Sequence, residues 1–577
     1  MIASPERPEG YNFKWKGKLG TSNVDNIPCN LRDGTLDFMR REMCRRCLVL
    51  VVSAIIQLSL SFVEISPSFA QDWEVRRQRG ILKVVDLFTS TGSVMMNYAE
   101  GLVTLDRENK WVPCLAEDWR WINDRTLEFA LRQGVTFHNG EKFNAESVGI
   151  NWCEYKKLKS TRPMRFLNLP KTTVLETVDE YTVRFIFPEP EGLAFPKLRW
   201  FFQFAPAFFA QHRFPEGNWG YLPEAGPWGT GPFTLVAGGE TFTGPGRRII
   251  LEAYRNYWDR RYPKVERLIF ENSLTRNRDE ATRLCGDTEG AVDIVSFIRA
   301  LDTLKIVESK YAKVAKSRDS VILTVFINQR KNNSLWRDIR LRKALNYAIN
   351  RAELWRFGAK GNAYNLEGFF VPPDAYGYNS NVTLYKYDAE KARSLLKEAG
   401  YPDGFEMKVI TAEAFKLESQ IISKMLMRIG VKVKLEVLTW PEYFRNLWLP
   451  GLEGPPEEQT WDIGIACSPD TFGHTGLSLL GWGILEESET RWCEYDPSYE
   501  GMWKSMATEV NPKGQEEKIR EIVKYAHDIL PNFVIYSPLS LYAVNKEVDF
   551  VPQKSIYLRL KETSVTENHW SVRGKNH

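Results

Sequence analysis

The chain has 577 residues, with 77 Lys and Arg against 73 Asp and Glu for a net charge of +4, and is 43% hydrophobic and 26% charged. That balance excludes disordered, collagen-like and coiled-coil chains, and basic residues dispersed among acidic ones exclude the concentrated positive groove that nucleic acid requires. Single hydrophobic cores stop growing at roughly 250–300 residues, so at least two lobes are expected.

Residues 40–46 read Arg-Arg-Glu-Met-Cys-Arg-Arg, residues 47–63 are apolar but diluted by Ser53, Gln57, Ser59 and Ser61, and Ser68-Phe69-Ala70 follows. A basic head, a short apolar middle and small residues at the third and first positions before a cut describe a secretory signal peptide over 39–70. Cleavage after Ala70 is expected, with translation from Met39 and residues 1–38 dispensable. A membrane anchor would need about 20 predominantly apolar residues, more than this diluted run offers. Five cysteines lie beyond the cut: Cys114, Cys153, Cys285, Cys467 and Cys493. An odd number is no disulfide framework; Cys467 with Cys493 is the one pairing to test.

Residues 81–86 (Ile-Leu-Lys-Val-Val-Asp) predict a short strand, followed by a small-residue turn at 90–92 and a helix leading to Gly101. Residues 126–132 and 182–187 alternate apolar with polar and predict strands, and Asn144 caps a helix through Trp152. Helices are expected at 338–350 and 388–399, the second ended by Gly400 and Pro402. The clearest unit spans 405–437. A strand at 405–411 precedes a helix with Ile421, Ile422, Met425, Leu426 and Ile429 on one face; after Gly430, Val431, Val433, Leu435 and Val437 alternate. Strand, helix, strand at this spacing makes a right-handed crossover between parallel strands.

The six histidines are scattered, without a metal-spaced pair, and neither a P-loop nor a nucleophile elbow occurs. Gly229-Thr-Gly231 has two glycines of a dinucleotide fingerprint but is followed by Pro232 and lies outside any strand-to-helix turn, so it is no convincing phosphate cradle. His474, in a Gly/Ser/Thr-rich loop after Pro469, reads either as a ligand contact or as a hydrogen-bonded loop histidine. Aromatics make up 13% of the chain with 19 Trp, which suits a ring-lined ligand grip or an unusually large core. Two acids distant in sequence could still meet as a glycosidase pair.

Several stretches in order resemble the extracytoplasmic solute-binding protein family 5 of ABC transporters, the oligopeptide-, dipeptide- and nickel-binding type. They are Tyr98-Ala-Glu-Gly-Leu102, Pro113-Cys-Leu-Ala-Glu-Asp-Trp119, Leu127-Glu-Phe-Ala-Leu-Arg-Gln-Gly-Val-Thr-Phe-His-Asn-Gly140 with Asn144-Ala-Glu-Ser-Val148, Gly229-Thr-Gly-Pro-Phe233, Asn256-Tyr-Trp258, Asp338-Ile-Arg-Leu-Arg-Lys-Ala-Leu-Asn-Tyr-Ala-Ile349 and Ala399-Gly-Tyr-Pro-Asp-Gly404. Seven blocks in the family's order cover most of residues 81–550.

The resemblance implies an α/β two-lobed periplasmic binding protein fold of type II, the large peptide-binder class, with an extra β-rich subdomain and two hinge crossings. It places lobe I with the β-rich subdomain at 71–320, lobe II at 321–530 and a return to lobe I at 531–577, with crossings at 320–328 and 533–538. The implied function is an exported, periplasmic receptor, not an enzyme, that takes a small organic solute, peptide-like first, into an interlobe cleft and delivers it to an ABC transporter permease. No cofactor, metal or nucleic acid is implied, and a monomer fits hinge closure. In peptide binders of the family a loop near the end of lobe II supplies an aspartate to the ligand's amino terminus. Here Asp470 takes that position, with Phe472 as an apolar wall and His474 beside it, although the family's Asp-Tyr-Pro-Asp-like loop is not reproduced. Phe88, Ser90, Trp228 and Asn328 are further pocket candidates beside the opening turn, the Gly-Thr-Gly-Pro loop and the hinge. A secreted hydrolase and a nickel- or metal-chelate receptor of the same fold are the alternatives.

Overall fold

A computed structural model describes residues 78–574 except 87–89, 159–167, 215–223, 239–247, 319–320, 365–370, 374, 449–456, 479–482 and 487–490. The expected leader and its cleavage site lie outside the described residues. Among the described residues no helix is long and apolar enough to cross a membrane.

Seven strands form one sheet in the order Ala312–Ser317, Ser540–Asn545, Ile294–Val295, Ile81–Val85, Arg267–Glu271, Arg248–Ala253 and Phe233–Ala237. Ile81–Val85 pairs in parallel with both neighbours, which buries it from two sides. Its side chains divide by the two-residue period. Leu82 and Val84 enter a core with Phe233, Leu251, Leu268 and Phe270, while Val85 enters another with Ala281, Cys285 and Val295. The small residues after Asp86 begin the helix Ser90–Tyr98 rather than forming the expected turn. Ser93 Oγ donates to Asp86 Oδ2 at 2.5 Å, and a Cβ at Gly92 would stand 2.3 Å from the Tyr557 ring, so smallness here serves packing.

Beside this sheet stands an antiparallel one of four strands, Ala116–Asn123, Thr126–Leu131, Thr182–Ile186 and Val174–Asp179. Its inner face carries Leu127, Phe129, Val183 and Phe185 against Trp152 and Phe201. Trp152 sits on the helix Ala145–Lys157, whose start is set by a capping box between Asn144 and Ser147. Trp152 meets Phe185 and Phe201 edge-on, at ring separations of 5.7 Å each. Much of the aromatic excess is therefore core.

A five-stranded sheet forms the second lobe, in the order Lys432–Leu438, Glu406–Ala412, Ile463–Pro469, Val321–Ile327 and Phe533–Val534. Glu406–Ala412 and Lys432–Leu438 run parallel in full register, joined by the helix Lys416–Met427, as the hydrophobic periods predict. Asp338 and Asp388 cap the helices Ile339–Ala348 and Ala389–Glu398, which pack against this sheet's core.

The chain passes twice between the lobes. Ala312–Ser317 lies in the first sheet and Val321–Ile327 in the second; Phe533–Val534 lies in the second and Ser540–Asn545 in the first. Val321–Ile327 is buried throughout and belongs wholly to the second sheet, so the first passage precedes it. The described cysteines are all free, which corrects the proposed Cys467–Cys493 bridge. Cys467 lies in the strand Ile463–Pro469 opposite Leu323, whereas Cys493 packs against Pro531.

Candidate functional site

Five of the motif blocks meet around the segment that carries Tyr98 and Glu100, and three of them meet at Glu100 itself. Its Oε1 accepts from Tyr257 Oη at 2.6 Å and from Cys114 Sγ at 3.6 Å, and its Oε2 accepts from Trp258 Nε1 at 3.0 Å. Next door, Tyr98 Oη donates to Gly226 O at 2.7 Å and accepts the Trp228 amide at 2.8 Å. A Cβ at Gly229 would stand 2.2 Å from Tyr98 O, and one at Gly231 would stand 2.6 Å from Tyr98 C. The two glycines thus let one backbone lie on another; they cradle no phosphate. His138 closes the group, its amide donating to Gly229 O and its Nε2 lying 2.9 Å from Gly231 O.

The loop leaving the strand Ile463–Pro469 carries three sequence-predicted residues and touches the first lobe. Asp470 Oδ1 accepts the His474 amide at 3.0 Å, which closes the loop on itself. Thr471 O accepts from Arg199 Nη1 of the first lobe at 3.2 Å. Phe472 is buried, its ring 5.9 Å from that of Trp200, which in turn meets the Tyr557 ring at 5.2 Å. His474 is buried within the second lobe: Nε2 lies 2.9 Å from Gln515 Oε1, Nδ1 accepts the Leu477 amide at 3.4 Å, and burial pulls its pKa down. Gln515 Nε2 extends the seam by donating to Gly192 O at 3.0 Å, and the Gly192 amide donates to Ala507 O at 2.7 Å.

The remaining candidates are spread out. Trp228 is half-buried against Phe208 and His212 in the first lobe. Asn328 is fully buried and ties its own turn, its Oδ1 accepting the Lys331 amide at 2.9 Å and its carbonyl accepting from Ser334 Oγ at 2.8 Å. Phe88 and the side chain of Ser90 lie outside the described residues.

Arg199, Arg559 and Lys561, none of them singled out by sequence reasoning, line a cavity of about 40 Å³ in the first lobe together with Glu100, Thr104, Cys114 and Phe202. Leu558 and Leu560 enter the first lobe's core, so the two-residue alternation turns Tyr557, Arg559 and Lys561 the other way. Their amides hold this register, Leu558 N donating to Ser93 Oγ at 2.9 Å and Leu560 N to Asn97 Oδ1 at 2.8 Å. Arg559 donates to Thr104 Oγ1 at 3.2 Å, Asp106 O at 3.2 Å and Leu105 O. The alternation Tyr-Leu-Arg-Leu-Lys was a signal that could have found this pair. Arg199 carried none, because a buried arginine and a surface one look alike in a sequence.

Electrostatics set this cavity apart. Arg199 is only 3% exposed, and burial pulls its pKa down to about 10. Burial, then the neighbouring Arg199 charge, pulls Arg559 down to about 9. Burial pushes the Glu100 carboxyl up, against the opposing pull of Lys561 and of its three hydrogen-bond donors. The charge of Asp470 opposes the pull on Arg199, and those of Glu562 and Asp106 oppose the pull on Arg559, without cancelling it; an incompletely compensated buried ion costs several kcal/mol.

Residues 110–463 match the family model described as bacterial extracellular solute-binding proteins, family 5 Middle, and the chain belongs to that family. It is 26% identical over 470 residues to the dipeptide-binding protein of Escherichia coli (strain K12), covering 76% of this chain and 83% of that one. It is 28% identical over 357 residues to the glutathione-binding protein GsiB of Pectobacterium atrosepticum, where 60% of this chain spans 64% of the relative, just under two thirds of its length. In fold it is similar to the periplasmic binding protein DppA of Helicobacter pylori solved with the peptide STSA, at a TM-score of 0.68 and 19% identity over 85% of this chain and 99% of that one.

Proposed function

We propose that this protein is an exported solute-binding receptor that captures a small organic solute between its lobes and delivers it to an ABC transporter permease. The observation that carries the reading is the seam: two passages of chain join the lobes, and the loop carrying Asp470 and Phe472 meets Arg199 and Trp200 across it. Both lobes contribute contacts only when shut, so a ligand stabilises the closed form by its differential affinity. The closed form is what the permease reads. A peptide-like solute is the first candidate, supported by the dipeptide- and glutathione-binding names of the relatives.

In this reading the leader is cut after Ala70, with lobe I at 71–320, lobe II at 321–530, the return segment at 531–577, and a monomer as the working unit. Asp470 meets an ammonium group of the solute, Phe472 shapes the wall beside it, and no bond is made or broken. The test is a thermal-shift screen of the purified exported protein against peptides, sugars, amino-acid derivatives and metal chelates. A saturating ligand at a hundred times its Kd contributes about 2.7 kcal/mol to the folded state. A rise in Tm without turnover supports the receptor; hydrolysis of a panel member without any rise refutes it.

A further inference from the structure

The guanidinium of Arg199 presents an edge that other arginines of the protein, Arg261 and Arg283 among them, set against a carboxylate. Where Arg261 meets Asp259, Nε donates to Oδ1 at 2.9 Å and Nη2 to Oδ2 at 2.8 Å; where Arg283 meets Glu280, the same two nitrogens reach the two carboxylate oxygens at 2.8 and 2.7 Å. That fork is the planar geometry a carboxylate accepts. In Arg199, Nη1 donates to Thr471 O, whereas Nε and Nη2 are buried and have no hydrogen-bond partner among the described residues. Arg559 Nε is likewise buried without a partner. Both arginines and Lys561 line one cavity, whose single acid, Glu100, already accepts from Tyr257, Trp258 and Cys114. The cavity's about 40 Å³ holds roughly three water-sized groups at about 10–15 Å³ each, the size of a carboxylate.

Resting on the receptor reading above, we propose that Arg199, Arg559 and Lys561 form the anion subsite of this receptor and take a carboxylate carried by the solute, with Arg199 as the bidentate contact. The same guanidinium holds Thr471 of the opposite lobe, so anion capture fixes the side chain that bridges the seam. The solute class follows: a zwitterion or amino acid derivative whose ammonium meets Asp470 and whose carboxylate enters this cavity, in preference to a neutral sugar.

Two experiments separate the subsite from the receptor reading. Sodium acetate is compared with sodium chloride at equal ionic strength on wild type and Arg199→Gln. Acetate should raise the wild-type Tm beyond chloride and lose that increment in the variant; no increment, or an equal one in both, overturns the subsite. Isothermal titration then pairs free-acid peptides with their carboxamides. Acids should bind at least tenfold more tightly than amides to wild type, the ratio falling towards one in Arg199→Gln. Equal binding of acid and amide to wild type overturns the subsite and leaves the receptor standing, whereas an acetate increment with no organic solute bound overturns the receptor alone. Should Arg199→Gln not fold, Lys561→Gln is read by the same two ratios.

Discussion

His569 Nε2 and Asp293 Oδ1 lie 3.0 Å apart with neither side chain exposed, although 276 positions separate them in the chain. The other imidazole nitrogen is 2.8 Å from Ser571 Oγ, so serine, histidine and aspartate stand in the order of a hydrolytic triad. The arrangement serves to anchor. Ser571 is buried and its Oγ accepts the Ile81 amide at 2.9 Å, while Asp293 also accepts from Lys83 N, Asn545 Nδ2 and Trp570 Nε1 at 2.8–3.0 Å. The group pins the end of the chain to the first strand.

Asp293→Ala should therefore destabilise the protein by about 3–5 kcal/mol, the cost of stranding several buried partners of one charge. Urea unfolding measures it. A change below about 1 kcal/mol would show that the anchor does not hold, and unaltered solute affinity in the folded fraction is expected.

Acid should weaken the fold through buried histidines. His138 is pulled down to about 4 by burial, and its Nδ1 is enclosed without a hydrogen-bond partner among the described residues. An unfolded histidine titrates near 6.5, so between about pH 6.5 and 4 the unfolded chain binds a proton that the folded one refuses. Stability is fully present above that window and falls as pH drops through it, by up to about 1.4 kcal/mol per unit for one such group. His474, also pulled down by burial, acts with the same sign. Denaturation midpoints at several pH values should show a shallower slope for His138→Gln than for wild type; parallel slopes would refute the assignment.

Asp470→Asn separates charge from loop geometry. The amide oxygen can still accept the His474 amide, so Tm should stay within a few degrees of wild type. Binding of an amine-bearing solute should weaken by about 1–3 kcal/mol, as expected for loss of a charged hydrogen bond. Titration calorimetry that finds unchanged affinity removes Asp470 from the site.

Alkylation should distinguish the thiols. Cys153 is exposed, Cys114, Cys285 and Cys493 are buried, and burial pushes the thiols of these three and of Cys467 up. The thiolate is the reactive form. Peptide mapping should find Cys153 labelled in the native protein and the other four only after unfolding, with no reductant needed. A Cys467–Cys493 crosslinked peptide would contradict the structure.

Periodicity made the strand, helix and strand of 405–437 readable, because burial on one face repeats at fixed spacing whatever the rest of the chain does. The cap at Asn144 and the helix starts at Asp338 and Asp388 were readable because a cap acts within three residues. The motif blocks identified the family, yet their chemistry emerged only in three dimensions, where Tyr98, Glu100, Gly229, Gly231 and Trp258 prove to be one packed junction. The apparent turn at 90–92 misled because small residues signal both turns and close packing, and only the Tyr557 ring decides between them.

By itself, the sequence determined the elements whose causes are local, the family, and the loop in which Asp470, Phe472 and His474 lie. Only the tertiary structure decided which side chains face one another: Phe472 against Trp200, His474 against Gln515, and Arg199 between Thr471 and a cavity shared with a segment some 360 positions away. The physical reason is that desolvation belongs to no residue type. An arginine costs several kcal/mol or nothing according to what encloses it, and the enclosure comes from distant parts of the chain.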